Sequence, residues 1–86
     1  MDQVVAAAAR DLLKNPAFKA ICSNLEDRYT RSMVRTEPHQ REEREQAYLK
    51  LRALIDFLRE LRGLWETSEA EEIAAARKVQ AAESDL

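Results

Sequence analysis

Glycine occurs once in these 86 residues, proline twice, and cysteine and histidine once each. A single cysteine and a single histidine exclude an intrachain disulfide and a conventional zinc site, two of the usual substitutes for a large core in a small protein. One glycine excludes a phosphate-cradling glycine-rich loop. Runs of β-branched or aromatic residues are missing, and with them any strand pattern. Neither sign of charge dominates: 14 basic residues face 16 acidic ones for a net charge of -2, so no overall field draws the chain to nucleic acid or to an anionic membrane. No apolar run approaches membrane-spanning length.

What remains is helix-forming. Ala, Leu, Glu, Arg, Lys and Gln fill nearly every window, and 35% of residues are charged against 45% hydrophobic, the profile of an all-α chain. Asp2 is placed to cap a first helix over about Gln3 to Lys14, with an apolar stripe of Val5, Ala8 and Leu12 and with Ala9 and Leu13 beside it. Asn15-Pro16 interrupts it, since proline disfavours the α conformation in the residue before it while Asn caps and Pro starts a second helix. The stripe of that helix is Phe18, Cys22, Leu25, Tyr29 and then Ser32 or Met33, broadened by Ile21. Thr36-Glu37-Pro38 marks a short turn, which implies an antiparallel hairpin.

A third helix is expected from about Pro38 to Arg62 or beyond. Its first turns, His39 to Gln46, hold no large apolar residue and read as solvated. From Ala47 the series Ala47, Leu51, Leu54, Leu58, Leu61, Trp65 repeats steps of four and three, the spacing of a bundle seam, with Tyr48 and Ile55 on one flank and Phe57 and Leu64 on the other. Gly63 either caps this helix or is tolerated within it. Ser68 with Glu71 fits a capping box and points to a fourth helix over about Glu69 to Ala82, thinly edged by Ile73, Ala76 and Val79. The expected architecture is all-α: one domain over residues 1–86, an antiparallel helical hairpin over about 16–65 with a short N-terminal helix, and a weak, peripheral C-terminal helix over 66–86.

No catalytic constellation can be assembled from one His, one Cys and scattered hydroxyls. His39 reads as an exposed histidine near a helix start and Cys22 as a buried structural thiol. Glu42, Glu43 and Glu45 alternate with Arg41 and Arg44, which describes a solvated, salt-bridged face rather than a metal site. No cofactor is implied. Arg28, Arg31 and Arg35 share one helical face and form the candidate contact for phosphate or an acidic partner. Against that stand Asp27, four residues before Arg31, the helix dipole, and acids of the third helix within reach across the hairpin. Sequence-specific reading of DNA would need base-reading polar residues in a compact helix-turn-helix.

The run Leu12-Leu13-Lys14-Asn15-Pro16-Ala17-Phe18, the turn at Glu37-Pro38, and Arg41-Glu42-Glu43-Arg44-Glu45-Gln46-Ala47-Tyr48 leading into Leu51 and Leu54 resemble small helical proteins encoded in the structural gene cassettes of tailed bacteriophages, over about residues 12–66. The resemblance implies a head, portal or packaging accessory present in many copies, and carries over no catalytic residue. The stretch Met1 to Val5 lacks the features of a secretory signal. A host-cytoplasmic or virion setting is therefore expected, with Cys22 reduced.

A small domain buries little of its surface, and the apolar face around Leu51 is wider than one packed neighbour requires. The leading expectation is therefore a non-enzymatic assembly protein that forms homo-oligomers or docks on a protein partner through Leu54, Phe57, Leu58, Leu61, Leu64 and Trp65. Two alternatives stand beside it: a regulatory or inhibitory adaptor that uses residues 37–46, and a nucleic-acid accessory that uses Arg28, Arg31 and Arg35. No membrane contact is expected.

Overall fold

The computed structural model describes residues 3–84, and they form three α-helices: α1 (Gln3–Lys14), α2 (Pro16–Val34) and α3 (Arg41–Ser84). No strand occurs among the described residues. Asp2, the expected cap of α1, lies outside them.

The break between α1 and α2 is one residue wide. Asn15 is extended (φ -72°, ψ 120°), as the following proline demands, and its Oδ1 accepts from the backbone N–H groups of Ala17 and Phe18 at 2.9 and 3.1 Å. Pro16 takes the first helical position, where its missing N–H costs nothing. The turn after α2 is closed by side chains. Thr36 Oγ1 donates to the Met33 carbonyl at 2.8 Å, the Gln40 side chain accepts from Glu37 N–H at 2.8 Å, and Arg44 donates to Thr36 Oγ1 at 3.1 Å and to the Glu37 carbonyl at 3.4 Å. Pro38 and His39 therefore lie in the turn, and α3 starts at Arg41 rather than at Pro38.

The largest departure from expectation is at the C-terminal end. In place of a third helix, a break and a weak fourth helix, α3 runs unbroken for 44 residues. Gly63 is helical, without a positive φ, and so is not a C-terminal cap. Ser68 does not cap a helix start either. It is 6% exposed, and its hydroxyl donates to Gln3 Oε1 of α1 at 3.0 Å. The S-x-x-E pattern is local, whereas Ser68 also falls on the four-three seam of α3, and burial beside α1 decides its role.

At about 1.5 Å per residue α3 is about 66 Å long, close to the 73 Å long dimension of the molecule. The two shorter helices lie against successive lengths of it. Arg28 and Tyr29 of α2 sit beside Gln46, Ala47 and Lys50, and Lys19 and Cys22 sit beside Leu58 and Arg62. Gln3, Ala6 and Arg10 of α1 sit beside Trp65, Ser68 and Glu72. The expected stripe of α2 faces inward at Phe18, Cys22, Leu25, Tyr29 and Met33, while Ser32 and Ile21 face out.

For α1 the expected stripe is wrong. Ala6 and Ala9 are each 2% exposed and Leu13 is half-buried, whereas Val5, Ala8 and Leu12 face solvent. Two alanines at the contact let α1 approach α3 closely enough to cover Trp65. The bulkier Val5 and Leu12 would hold the helix axes apart.

The interior is thin. Among the described residues the buried hydrophobic ones are Ala6, Ala9, Cys22, Ala47 and Leu61, and no large side chain is fully buried. The accessible surface is 6933 Å², against roughly 5,200 Å² for a compact monomer of 9.9 kDa. The radius of gyration is 19.8 Å, against about 12 Å for a compact domain of this length.

Because Gly63 is helical and a Cβ built on it meets nothing within 4 Å, Gly63→Ala should stabilise the fold by about 1 kcal/mol, the helix-propensity difference. A melt followed by far-UV circular dichroism should show Tm raised by about 4–8 °C. An unchanged or lowered Tm would mean that α3 is not continuous through this position.

Candidate protein-binding surfaces

The seam read from Ala47 to Trp65 is the line along which α3 meets the other two helices. Ala47, Leu61 and Ser68 are buried, and Leu51, Leu54, Leu58 and Trp65 are half-buried. The same spacing continues through Glu72, Ala75, Val79 and Ala82, all exposed: Gln3 of α1 lies opposite Ser68, and beyond Glu72 no other described helix lies against α3. Val79 is 57% exposed and Ile73, beside the seam, 54%.

The six residues assigned to a protein interface divide accordingly. Leu61 is inside the molecule, and Leu54, Leu58, Leu64 and Trp65 are partly covered by the chain itself. Leu58 borders a hollow shared with Leu13, Phe18 and Cys22 at the bend between α1 and α2. Phe57 alone is openly exposed, at 51%. Sequence reasoning understated α1, which covers a tryptophan with alanines rather than with its own large residues. The steps Gln3, Ala6, Ala9, Leu13 would have revealed this face, had small residues been weighed as close-packing positions.

Trp65 illustrates the cover. Lys14 Nζ lies 5.1 Å from its ring centroid, within cation–π range. Its Nε1 is buried and has no hydrogen-bond partner, so the ring is held by packing and the Lys14 contact rather than by a hydrogen bond.

Arg28, Arg31 and Arg35 are brought together along one edge of α2, with Arg28 also bordering α3. They share a shallow groove with Ile21, Leu25 and Ser32. The neutralising contacts expected from sequence do not form: among the described residues the ion pairs are Arg10–Asp11 at 3.2 Å and Arg52–Asp56 at 3.3 Å. Asp27 does not pair with Arg31, and no acid of early α3 forms an ion pair with the three guanidinium groups, although Glu43 borders the same hollow as Arg28. The groove therefore presents unpaired positive charge with an apolar floor at one end.

Residues 37–46, the surface of the adaptor alternative, are mostly exposed, but Arg44 is engaged in closing the turn. His39 is exposed, and Cys22 is a buried free thiol against the α3 seam. Among the described residues no three His, Cys, Asp or Glu side chains converge as a metal site would need. No described helix is long and apolar enough to cross a membrane.

With no hydrogen bond on its ring nitrogen, Trp65→Phe should cost less than about 1 kcal/mol, because only ring area is lost and Phe keeps a face for Lys14. Trp65→Ala should cost about 2 kcal/mol, below the figure for a fully buried tryptophan because the ring is only half covered. Urea unfolding of the two variants measures both, and equal losses would contradict this account of the ring.

With this geometry in place the chain was compared with known proteins, and no family model, curated protein or solved structure matches it.

Proposed function

We propose that this chain is a non-enzymatic assembly protein, an antiparallel helical hairpin of α2 on α3 braced by α1, which acts by helix-to-helix contact with further protein chains. The observation that carries the reading is its surface. A single copy exposes about a third more area than a compact monomer of its mass, an excess on the order of the area buried in a standard protein interface. The exposed apolar residues lie where helices could be added: Phe57 on the flank of α3, Ile73 and Val79 on its uncovered end, and Val4, Val5 and Leu12 on the outer side of α1. Nothing in this mode of action requires a cofactor.

The setting proposed with it, a phage head, portal or packaging assembly in the host cytoplasm or the virion, rests on the resemblance of residues 12–66. Repetition in such an assembly would supply through neighbours the burial that one copy lacks.

The reading predicts that folding and self-association are linked. Anything that binds the native chain and not the unfolded one raises apparent stability by mass action, so Tm should fall by several degrees on 100-fold dilution, and light scattering should show a mass above 9.9 kDa at the high concentration. A Tm independent of concentration, together with the mass of one chain throughout, would overturn self-assembly.

A further inference from the structure

The arginine groove on α2 has a spacing that identifies its occupant. Ile21, Leu25, Arg28, Ser32 and Arg35 repeat in steps of four and three along one edge of α2, exposed except at the half-buried Leu25, with Arg31 beside them. That spacing is the seam pattern of a helix awaiting a second helix. The matching stripe lies on α3: Glu66, Glu69, Ile73 and Ala76, all exposed, in steps of three and four, with Glu69 bordering the hollow beside Gln3 and Arg10 of α1. Laid antiparallel, the two stripes set Ile73 and Ala76 against Leu25 and Ile21, Glu69 against Arg28, and Glu66 against Ser32, between Arg31 and Arg35. Parallel alignment would instead put glutamates against Ile21 and leave Ile73 among guanidinium groups.

The two stripes cannot meet within one molecule. Arg44, which is bonded to Thr36 next to Arg35, stands 22 residues before Glu66 on the same helix, a separation of about 33 Å. We infer that the groove formed by Ile21, Leu25, Arg28, Arg31 and Arg35 receives the α3 stripe Glu66, Glu69, Ile73, Ala76 of a second copy of this chain, joining copies head to tail. The inference rests on the assembly reading above and names its partner.

A contact between two different surfaces leaves one of each free at the ends, so it builds a chain or closes into a ring rather than stopping at a pair. The axial step between neighbours is about 28 Å, one helical turn less than that separation because Glu66 falls at Ser32 rather than at Arg35, since each copy must bring its groove level with the stripe of the one before it. A phosphate backbone is the less suitable occupant. Two of the groove positions are apolar, and the chain as a whole is acidic at net charge -2.

Charge reversal tests the inference in the full-length chain. Sedimentation velocity in low-salt buffer should reduce both R31E/R35E and E66R/E69R to single chains, with helicity by circular dichroism unchanged because all four residues are exposed. An equimolar mixture of the two should recover the wild-type mass, since each reversed surface then faces its complement. E66Q/E69Q, which removes charge without repulsion, should weaken wild-type association several-fold, and added salt should do the same. Wild-type mass retained by both reversed variants, or reduced mass that mixing does not restore, would overturn this contact; if Tm then still fell on dilution, the assembly reading would stand without it. Salt-sensitive retention of a DNA oligonucleotide that R31E/R35E abolishes, with self-association unaltered, would assign the groove to phosphate and sink the proposal.

Discussion

Both shorter helices dock on one seam of α3, and the arrangement of the molecule follows from that line of side chains. Positions 47, 51, 54, 58, 61, 65 and 68 are all buried or half-buried, while every described side chain from Glu69 onward is exposed. The four-three spacing keeps the seam on one side of a long helix, so that two helices can be laid against it in succession. Burial along the seam also accounts for the continuity of α3 through Gly63, because Leu61, Trp65 and Ser68 anchor the helix on both sides of its weakest residue.

The Asn15-Pro16 break makes this use of the seam practicable. A single uninterrupted helix over residues 3–34 would have to track α3 as one rod. With one extended residue between them, capped from within, α1 and α2 contact α3 independently and through different chemistry. The α2 contact is made by Phe18, Cys22, Leu25 and Tyr29, whereas the α1 contact is made by the buried Ala6 and Ala9, with Ala6 beside Trp65 and the Ser68–Gln3 hydrogen bond at its end. Small residues at one contact and large ones at the other set different distances between helix axes, which a continuous helix would have to reconcile by bending.

A fold built as two helices laid along a third has no true interior, and this is the physical root of the proposed function. Every described residue lies within one helix diameter of solvent, and among the described large side chains only Leu61 is buried. Such a molecule gains stability by adding helices. Its outward features, namely the arginine groove on α2, the glutamate stripe on α3 and the bare end of the α3 seam, are helix-spaced rather than pocket-like.

Periodicity and local chemistry by themselves determined the all-α class, the bounds of α1, the Asn15 cap with Pro16 in the first turn of α2, the inward stripe of α2 and the α3 seam as far as Trp65. These are decided within a few residues of chain, by dihedral preference and by amphipathic spacing. Tertiary structure decided the rest. Which face of α1 turns inward depended on what it had to cover, and Trp65 favoured alanines over valines. Whether Ser68 began a helix or continued one depended on Gln3, 65 residues away. Whether Arg28, Arg31 and Arg35 were neutralised depended on distances to acids that sequence proximity cannot supply. Each of these outcomes is a competition between a local preference and a contact distant in sequence, and only the folded chain brings the distant competitor into range.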